Sequence, residues 1–249
     1  MLTGTLTGKV AFVAGASRGV GAAVAMALAQ QGAAVAVADR SECHGRMPDT
    51  IHSVADRIAD EGGQALAVSC DITDETSVET AVATTVAQFG GIDILIADTG
   101  ALWLGSIEST PLWRWQQCLD TNLTGVFLVT KAVIPHVRAR GGGALVAMTT
   151  SGGSTVRGAN AFRVSKAATE HLYLGLAAEL KADNIAVNCL GPSRLVLTES
   201  WLTDNGESDL SRSMIGTLAA AATFLAGQDG TGITGTIQRP EALAARRAG

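Results

Sequence analysis

The sequence predicts one α/β domain built on a doubly wound parallel sheet of about seven strands, with a layer of helices on each face. Its length of 249 residues is ordinary for a single domain of this class. Apolar runs of strand length alternate with longer runs of helical period, which is the pattern of repeated βαβ units. No repeat, low-complexity tract or Pro/Ser-rich linker divides the chain, so we treat residues 1–249 as one domain.

The predicted strands are short apolar runs bounded by glycine or polar residues. They are expected at residues 9–14, 34–39, 64–69, 93–97, 143–149 and 184–189, with a weaker seventh strand at 233–237. Ligands of such sheets bind beyond the carboxyl ends of the strands. The residues that follow each strand are therefore the candidates for a functional site.

The predicted helices occupy the longer periodic segments between these strands. They are expected at residues 19–31, 50–61, 75–89, 108–139, 160–182 and 213–227. Thr73 or Asp74 is placed to cap the third helix, and Ser109 or Thr110 to cap the fourth. Pro135 lies inside the long fourth helix and is expected to bend or end it.

Composition excludes several classes of protein. Hydrophobic residues make up 47% and charged residues 16%, so the chain is too apolar for disorder and too interrupted for a membrane span. The net charge of −5 gives no field that would attract nucleic acid or anionic lipid. The four cysteines are scattered without a CxxC pair, which predicts neither disulfides nor a metal site. Without a basic-then-apolar leader at the start, we expect a cytoplasmic protein.

A glycine-rich turn, AGASRGVG, follows the first strand and leads into a helix of small residues. Three glycines spaced GxxxGxG allow a tight turn and a close approach of backbone to a diphosphate, and the helix N-terminus offers N–H groups to the anion. The spacing alone is weak, and the alternative is a turn without a ligand. Its place between the first strand and a helix favours a Rossmann-type dinucleotide site. The predicted contacts are Gly15, Ser17, Arg18, Gly19, Val20 and Gly21.

The choice of dinucleotide depends on Asp39, at the end of the second strand. A carboxylate there accepts hydrogen bonds from the ribose hydroxyls of NAD and repels the 2′-phosphate of NADP. Arg18 and Arg40 favour the opposite choice, because guanidinium groups bind phosphate. An ion pair of Asp39 with either arginine would weaken or invert the preference. NAD is the predicted cofactor, and NADP is the alternative.

Several motifs, in order along nearly the whole chain, resemble the short-chain dehydrogenase/reductase family. After the glycine turn, Asp71 and Ile72 follow the third strand, where the family contacts adenine, and Gly100 closes the family's fourth-strand motif. The resemblance further implies the family's roles for residues in the second half of the chain. These are Asn122 in a proton relay, Thr149 or Thr150 in place of the substrate-orienting serine, Lys166 of the YxxxK motif, and Pro192 with Thr198 beside the nicotinamide.

Three departures from the family pattern concern its chemistry. Phe162 stands four residues before Lys166, where the family has its catalytic tyrosine, and the serine position carries Thr150, one residue closer to Phe162 than is commonest. The fourth-strand motif Asn-Asn-Ala-Gly reads Ala97-Asp98-Thr99-Gly100. A threonine keeps the hydroxyl, whereas phenylalanine has none. Tyr173, eleven residues further along the same predicted helix, lies about 16 Å away and cannot substitute directly.

The resemblance implies an NAD(P)-dependent oxidoreductase acting on an alcohol or carbonyl of an apolar small molecule, impaired by the missing proton donor. The candidate catalytic residues are Asn122, Thr150, Phe162 and Lys166. Thr150, Ser151, Ser154 or a water held by Asn122 and Lys166 could supply the proton instead. The main alternative is a coenzyme-binding pseudoenzyme or regulatory subunit without redox turnover. A third is a non-redox enzyme in which Asp98 or Glu108 acts on the substrate.

Each of these residues also has a purely structural interpretation. Thr150 can be an ordinary strand threonine, Asn122 can bond helix backbone, and Lys166 can be a solvated or ribose-bonded helix lysine. The polar insert SECHGRMPDTIHSV after the second strand is similar to the hydroxysteroid-dehydrogenase-like branch of the family. Residues near 193–215 are expected to form a small substrate lid. The resemblance also implies a homodimer or homotetramer paired through the fourth and fifth helices.

Overall fold

The computed structural model describes residues 5–40, 50–150, 158–192 and 209–247. Within these residues, seven strands form one parallel sheet in the order β3-β2-β1-β4-β5-β6-β7. The strands are β1 Val10–Ala14, β2 Ala34–Asp39, β3 Gln64–Ser69, β4 Ile94–Ala97, β5 Gly143–Met148, β6 Ile185–Leu190 and β7 Thr236–Gln238. The order reverses between β1 and β4, and this reversal opens a crevice at the carboxyl ends of the strands.

Helices connect the strands and cover both faces of the sheet. They are α1 Gly19–Gln30, α2 Ile51–Asp60, α3 Glu75–Phe89, α4 Leu112–Leu119, α5 Gly125–Ala139, α6 Asn160–Glu179, α7 Asp209–Ala226 and α8 Pro240–Arg247. A π-helical turn, Asp120–Thr124, joins α4 to α5. None of the helices within the described residues combines the length and the apolar character needed to cross a bilayer.

The core consists of two apolar layers, one on each face of the sheet. Along β1, Ala11 and Val13 face the layer that contains α1, α2 and α7. Phe12 and Ala14 face the layer that contains α3, α5 and α6. Because both faces are covered, every β1 residue is buried, as is usual for parallel sheets. The predicted three-layer, doubly wound α/β architecture is confirmed.

The strand predictions agree with the structure better than the helix predictions do. Six strands lie within one residue of their predicted ends, and the weak seventh is shifted to Thr236–Gln238. The third helix is capped by Asp74, whose side chain accepts from the backbone N–H of Thr76. The sixth predicted helix begins at Asp209 rather than at residue 213. The C-terminal helix α8 was not predicted.

The predicted helix at residues 108–139 is wrong at its start, and it contains the π-helical turn Asp120–Thr124. It begins at Leu112, and neither Ser109 nor Thr110 caps it. Both hydroxyls instead donate to the carbonyl of Ser106 in the preceding turn, at 3.2 and 2.7 Å. Pro135 does not end the helix, because α5 continues to Ala139. Most of the predicted lid, residues 193–208, and most of the polar insert, residues 41–49, lie outside the described residues.

Candidate active site

A cavity of about 290 Å³ opens where the strand order reverses, at the carboxyl ends of the central strands. It gathers predicted residues from the glycine turn, from the ends of β2, β3, β4 and β5, and from α6. Those that line it are Gly15, Arg18, Gly19, Val20, Asp39, Arg40, Asp71, Ile72, Gly100, Thr150, Phe162, Lys166 and Pro192. Thr198 lies outside the described residues. Ser17, Gly21 and Asn122 do not line the cavity and lie behind its wall.

The glycine turn fits so tightly against β4 that side chains are excluded at two positions. Gly15 has a φ of +86°, and a Cβ there would lie 2.5 Å from the carbonyl oxygen of Asp98. A Cβ on Gly21 would lie 2.2 Å from the carbonyl oxygen of Gly15. Arg18, at the N-cap position of α1, carries only donors and cannot cap the N–H groups of the first turn. These groups favour an anion, so the turn fits a dinucleotide diphosphate.

Asp39 is held in place by its neighbours in sequence and space. One carboxylate oxygen accepts from the hydroxyl of Ser17 at 2.8 Å, and the other accepts from the backbone N–H of Arg40 at 2.7 Å. Ser17 is fully buried, so it positions Asp39 from behind. Each oxygen of a carboxylate can accept more than one hydrogen bond, so Asp39 keeps acceptor capacity for ribose hydroxyls.

Asp71 forms the far end of the cavity, beside Ile72. Its carboxylate accepts from the backbone N–H and the hydroxyl of Thr73, at 2.9 and 2.7 Å. These bonds, with a smaller effect of the Arg40 charge, lower the pKa of Asp71. Burial, with the negative charges of Asp39 and Asp71, raises the pKa of the neighbouring Cys70 thiol to about 12. This end of the cavity therefore presents an ionised carboxylate and a protonated thiol.

Lys166 projects from α6 into the opposite end of the cavity. Its ammonium donates to the carbonyls of Thr99 and Met148, at 2.9 and 2.8 Å. Burial lowers the pKa of Lys166, and the charge of Asp98 opposes that shift. Phe162, one helical turn earlier, places its ring centroid 5.9 Å from the Lys166 nitrogen. A phenyl ring without a hydroxyl therefore stands beside the ammonium.

Asn122 lies in the π-helical turn and is fully buried. Its amide oxygen accepts from the N–H of Ala101 at 2.7 Å, and its amide nitrogen donates to the Ala101 carbonyl and to the Ser165 hydroxyl, each at 2.9 Å. The Asn122 carbonyl accepts from the hydroxyl of Thr169 at 2.7 Å. Asn122 thereby clamps the loop after β4 against α6, and both of its amide protons are engaged.

Three threonine hydroxyls on the cavity wall have no hydrogen-bond partner within the described part of the chain: those of Thr99, Thr149 and Thr150. Thr149 and Thr150 are each only 7% exposed. Leaving such a group unpaired costs about 1–3 kcal/mol, so a bound ligand that pairs with it would gain affinity. Of the two candidates for the family's serine position, Thr150 thus retains a hydroxyl that is free to bond. The Thr149 hydroxyl lies beside the carboxyl of Glu170, whose pKa burial raises and this hydroxyl lowers.

Tyr173 does not contribute to the cavity. It is 1% exposed, and its hydroxyl pairs with that of Thr130 at 2.9 Å, two turns along α6 from Lys166. Burial raises the pKa of Tyr173 above its ordinary value. A phenol buried in this way cannot exchange a proton with a substrate at Phe162.

Asp98, which the sequence offered only as the acid of a non-redox enzyme, lies within the cavity. It follows β4, lines the cavity, and has a carboxylate oxygen 3.1 Å from where a Cβ on Gly21 would lie. Burial raises the pKa of Asp98 to about 7; Lys166 and the N–H of Gly21 lower it, and Asp39 raises it further. The only signal in the sequence is an aspartate where the resembled motif has asparagine.

Comparison with known proteins identifies the scaffold. The family model described as short chain dehydrogenase matches residues 9–205. The chain belongs to the short-chain dehydrogenase family. A crystal structure of a short chain dehydrogenase from Mycobacterium thermoresistibile superposes on this one with a TM-score of 0.89 and 33% identity, covering 98% of this chain and 89% of that one.

Curated relatives of this chain include two that differ in length and in name. D-threitol dehydrogenase of Mycolicibacterium smegmatis is 33% identical over 243 residues, which cover 92% of this chain and 90% of the relative. Hydroxysteroid dehydrogenase-like protein 2 of Danio rerio is 34% identical over 200 residues, which cover 79% of this chain. The matched part of this chain spans about half of that relative, 48% of its length.

Proposed function

We propose that this short-chain dehydrogenase is a slow oxidoreductase, which uses NAD(H) in preference to NADP(H) and acts on an alcohol or ketone of an apolar small molecule. The observation that carries the proposal is the cavity itself. It joins a glycine turn suited to a diphosphate with an ammonium, Lys166, at its other end. Nicotinamide, when bound, supplies or accepts the hydride, and the chain supplies position and a proton.

The preference for NAD rests on Asp39, a carboxylate fixed at the end of β2 by Ser17. A 2′-phosphate brought next to it would meet like charge. Arg18 and Arg40 line the same part of the cavity, and they are the residues that would allow NADP as the alternative. Asp71 and Ile72 complete the proposed adenine end, and Gly100, Pro192 and Thr198 the proposed nicotinamide end.

The slow turnover rests on Phe162. Hydride transfer to a carbonyl needs a proton delivered to the oxygen, and a missing general acid costs a factor of about 10²–10⁴. Lys166 uses two N–H groups on carbonyls and, while protonated, has a third that can hold a water or the substrate oxygen. The hydroxyl of Thr150 is the other candidate on the wall. Asn122 acts through position, because its amide protons are engaged.

The proposed substrate class rests on the wall and on the relatives. Met148, Phe162 and Leu218 contribute apolar side chains to the lining of the cavity, which also holds the threonine hydroxyls. One relative is named for a hydroxysteroid dehydrogenase and another for D-threitol, so both names refer to alcohols. A secondary alcohol or ketone on an apolar body fits the chemistry of this wall.

The second candidate function is a coenzyme-binding protein without redox turnover. The absence of a hydroxyl at Phe162 favours it, together with the replaced motif at Ala97-Asp98. Both candidates predict affinity for NAD(H), so only activity separates them.

The test combines calorimetric titration of NAD⁺ and NADP⁺ with turnover of Phe162→Tyr on a panel of secondary alcohols and ketones. We expect the substitution to raise turnover at least about tenfold, because it restores a proton donor beside Lys166. Phe162→Leu is the matched control, which alters the ring without adding a hydroxyl and should leave the rate low. If Phe162→Tyr binds NAD⁺ yet stays inert on the whole panel, the second candidate is correct. If neither coenzyme binds, both fail.

We also propose a homodimer or homotetramer in the cytoplasm. Phe127 on α5 and Val164 on α6 are 46% and 47% exposed, and a second copy of the chain would bury such apolar side chains. Cys70, Cys118 and Cys189 are buried free thiols, consistent with a reducing compartment. Light scattering during gel filtration would give the number of subunits.

A further inference from the structure

Asp98 interacts with residues at both ends of the cavity, Gly21 of the glycine turn and Lys166 on α6. Its backbone N–H donates to the carbonyl of Ala14 at 2.9 Å, which fixes the loop after β4 beside the glycine turn. Its carboxyl lies over Gly21, in the first turn of α1. It thus stands against the first turn of α1, the helix whose N-terminus faces the proposed diphosphate site.

The charges around Asp98 come from four elements. Lys166 on α6 is the cation that acts on it, and Asp39 at the end of β2 is the anion. Arg18 before α1, Arg40 after β2 and Asp71 after β3 line the same cavity. A negative charge on Asp98 would therefore compete with an anionic ligand for the N-terminus of α1, and only a proton can remove that competition without moving the side chain.

We propose that the dehydrogenase takes up one proton on Asp98 when it binds NAD(H). This inference rests on the proposed function, because it requires the diphosphate to lie at the glycine turn. The step is balanced: free protein with an Asp98 carboxylate, one proton and the coenzyme give a complex with an Asp98 carboxylic acid. The acid keeps a carbonyl oxygen to accept from the N–H of Gly21 and gains an O–H donor.

The coupling predicts how affinity changes with pH. Below the range in which free Asp98 titrates, the carboxyl is already protonated and binding takes up no proton. Burial sets that range near pH 7. Above it, each binding event must also bind a proton, so affinity for NAD(H) falls as pH rises. Between about pH 6 and about pH 8.5 we expect a loss of affinity of roughly tenfold or more.

The experiment measures the dissociation constant of NADH by fluorescence across this range, for the wild type and for Asp98→Asn. Asparagine has the shape of aspartate and can accept from Gly21, but it does not titrate. We expect Asp98→Asn to change by less than about twofold and to bind more tightly than the wild type at high pH. Calorimetry in two buffers of different ionisation enthalpy should show uptake of about one proton by the wild type at about pH 8, and none by the variant.

Two further variants assign the proton. Lys166 could lose its own proton in the upper range and weaken binding in the same direction, so the proposal depends on the difference between wild type and Asp98→Asn. Asp71→Asn is the matched carboxyl control: it removes a carboxylate from the same cavity, and the slope with pH should remain. Asp39→Asn should also retain the slope.

The outcomes separate this inference from the proposed function. A wild-type affinity that is constant from about pH 6 to about pH 8.5 overturns the proton uptake and leaves the oxidoreductase intact. The same holds if Asp98→Asn shows the wild-type slope, or if Asp39→Asn abolishes it. Absence of NADH binding at every pH overturns the proposed function itself. If a variant does not fold, a constant wild-type affinity still overturns the proton uptake.

Discussion

Two aspartates flank strand β4, and they differ in the charges and hydrogen-bond donors that surround them. Asp93, before the strand, is 1% exposed and accepts from the N–H of Val10 at 2.9 Å, from Lys9 at 3.2 Å and from Arg140 at 3.2 Å. Asp98, after the strand, lies among one cation, a second carboxylate and a backbone N–H.

The comparison shows how one sheet separates stability from function. At the amino ends of the strands the buried charge is matched by donors, as a folded core requires. At the carboxyl ends, where the cavity opens, the carboxylate of Asp98 has fewer donors around it than Asp93 has. Sites that conflict with the rules for stable packing are often functional, and this is the reason to propose a role for Asp98.

The largest expected effect is a loss of stability when Asp93, at the amino end of β4, is replaced. Asp93→Ala leaves the buried N–H of Val10 without its acceptor and removes the anion between Lys9 and Arg140. Both cations are more than a third exposed, so screening reduces their share. We expect the free energy of unfolding to fall by about 3 kcal/mol in urea denaturation. Affinity for NADH at a temperature where the variant is folded should not change. A loss of affinity with little loss of stability would reverse the roles of the two aspartates.

A smaller effect, on the affinity for NADH, is expected from a substitution that crowds the carboxyl end of β4. Gly21→Ala places a methyl group against the carbonyl of Gly15 and beside Asp98. Overpacking of this kind costs about 1–3 kcal/mol, so we expect NADH affinity to fall roughly thirtyfold. Gly216→Ala in α7 is the control, because a Cβ there meets nothing within 4 Å and an exposed helical position gains from alanine. Equal affinities of the two variants would show that the turn does not hold the coenzyme.

The smallest effect concerns stability at the carboxyl end. Folding raises the pKa of Asp98 from 3.8 to about 7, mainly through burial. The fold therefore favours the protonated form, and stability is lost as pH rises between these two values. The wild type should lose about 1–2 kcal/mol more than Asp98→Asn between about pH 5 and about pH 6.5 in chemical denaturation. A steeper loss in Asp98→Asn would mean that the carboxylate stabilises the fold.

Much of the fold followed from local sequence signals. Strands such as Ala34–Asp39 are runs of buried apolar residues, and their ends are marked by glycine or charge. Pro111 marks the true start of the fourth helix, but Ser109 and Thr110 matched the same capping rule in the wrong place. Their hydroxyls bond Ser106, a competition that short polar runs do not reveal. The π-helical turn at Asp120–Thr124 has no sequence signature of its own.

The candidate site could be predicted as a set of residues but not as a set of contacts. The glycine turn and the order of motifs indicated Gly15, Asp39, Asp71 and Lys166, and the structure brings them to one cavity. The engagement of Asn122 by Ala101 and Ser165 depends on how the loop after β4 meets α6. The environment of Asp98 likewise depends on α1 packing against a distant strand. Such non-local contacts are not encoded in spacing along the chain.

The burial of Tyr173 has a practical consequence for spectroscopy. It is the only tyrosine in the chain, and its phenol is shielded and bonded to Thr130. The native protein therefore gives no phenolate absorbance in mild alkali. In Phe162→Tyr the single introduced ring would ionise first, and ultraviolet difference spectra would record its titration beside Lys166 against a silent background.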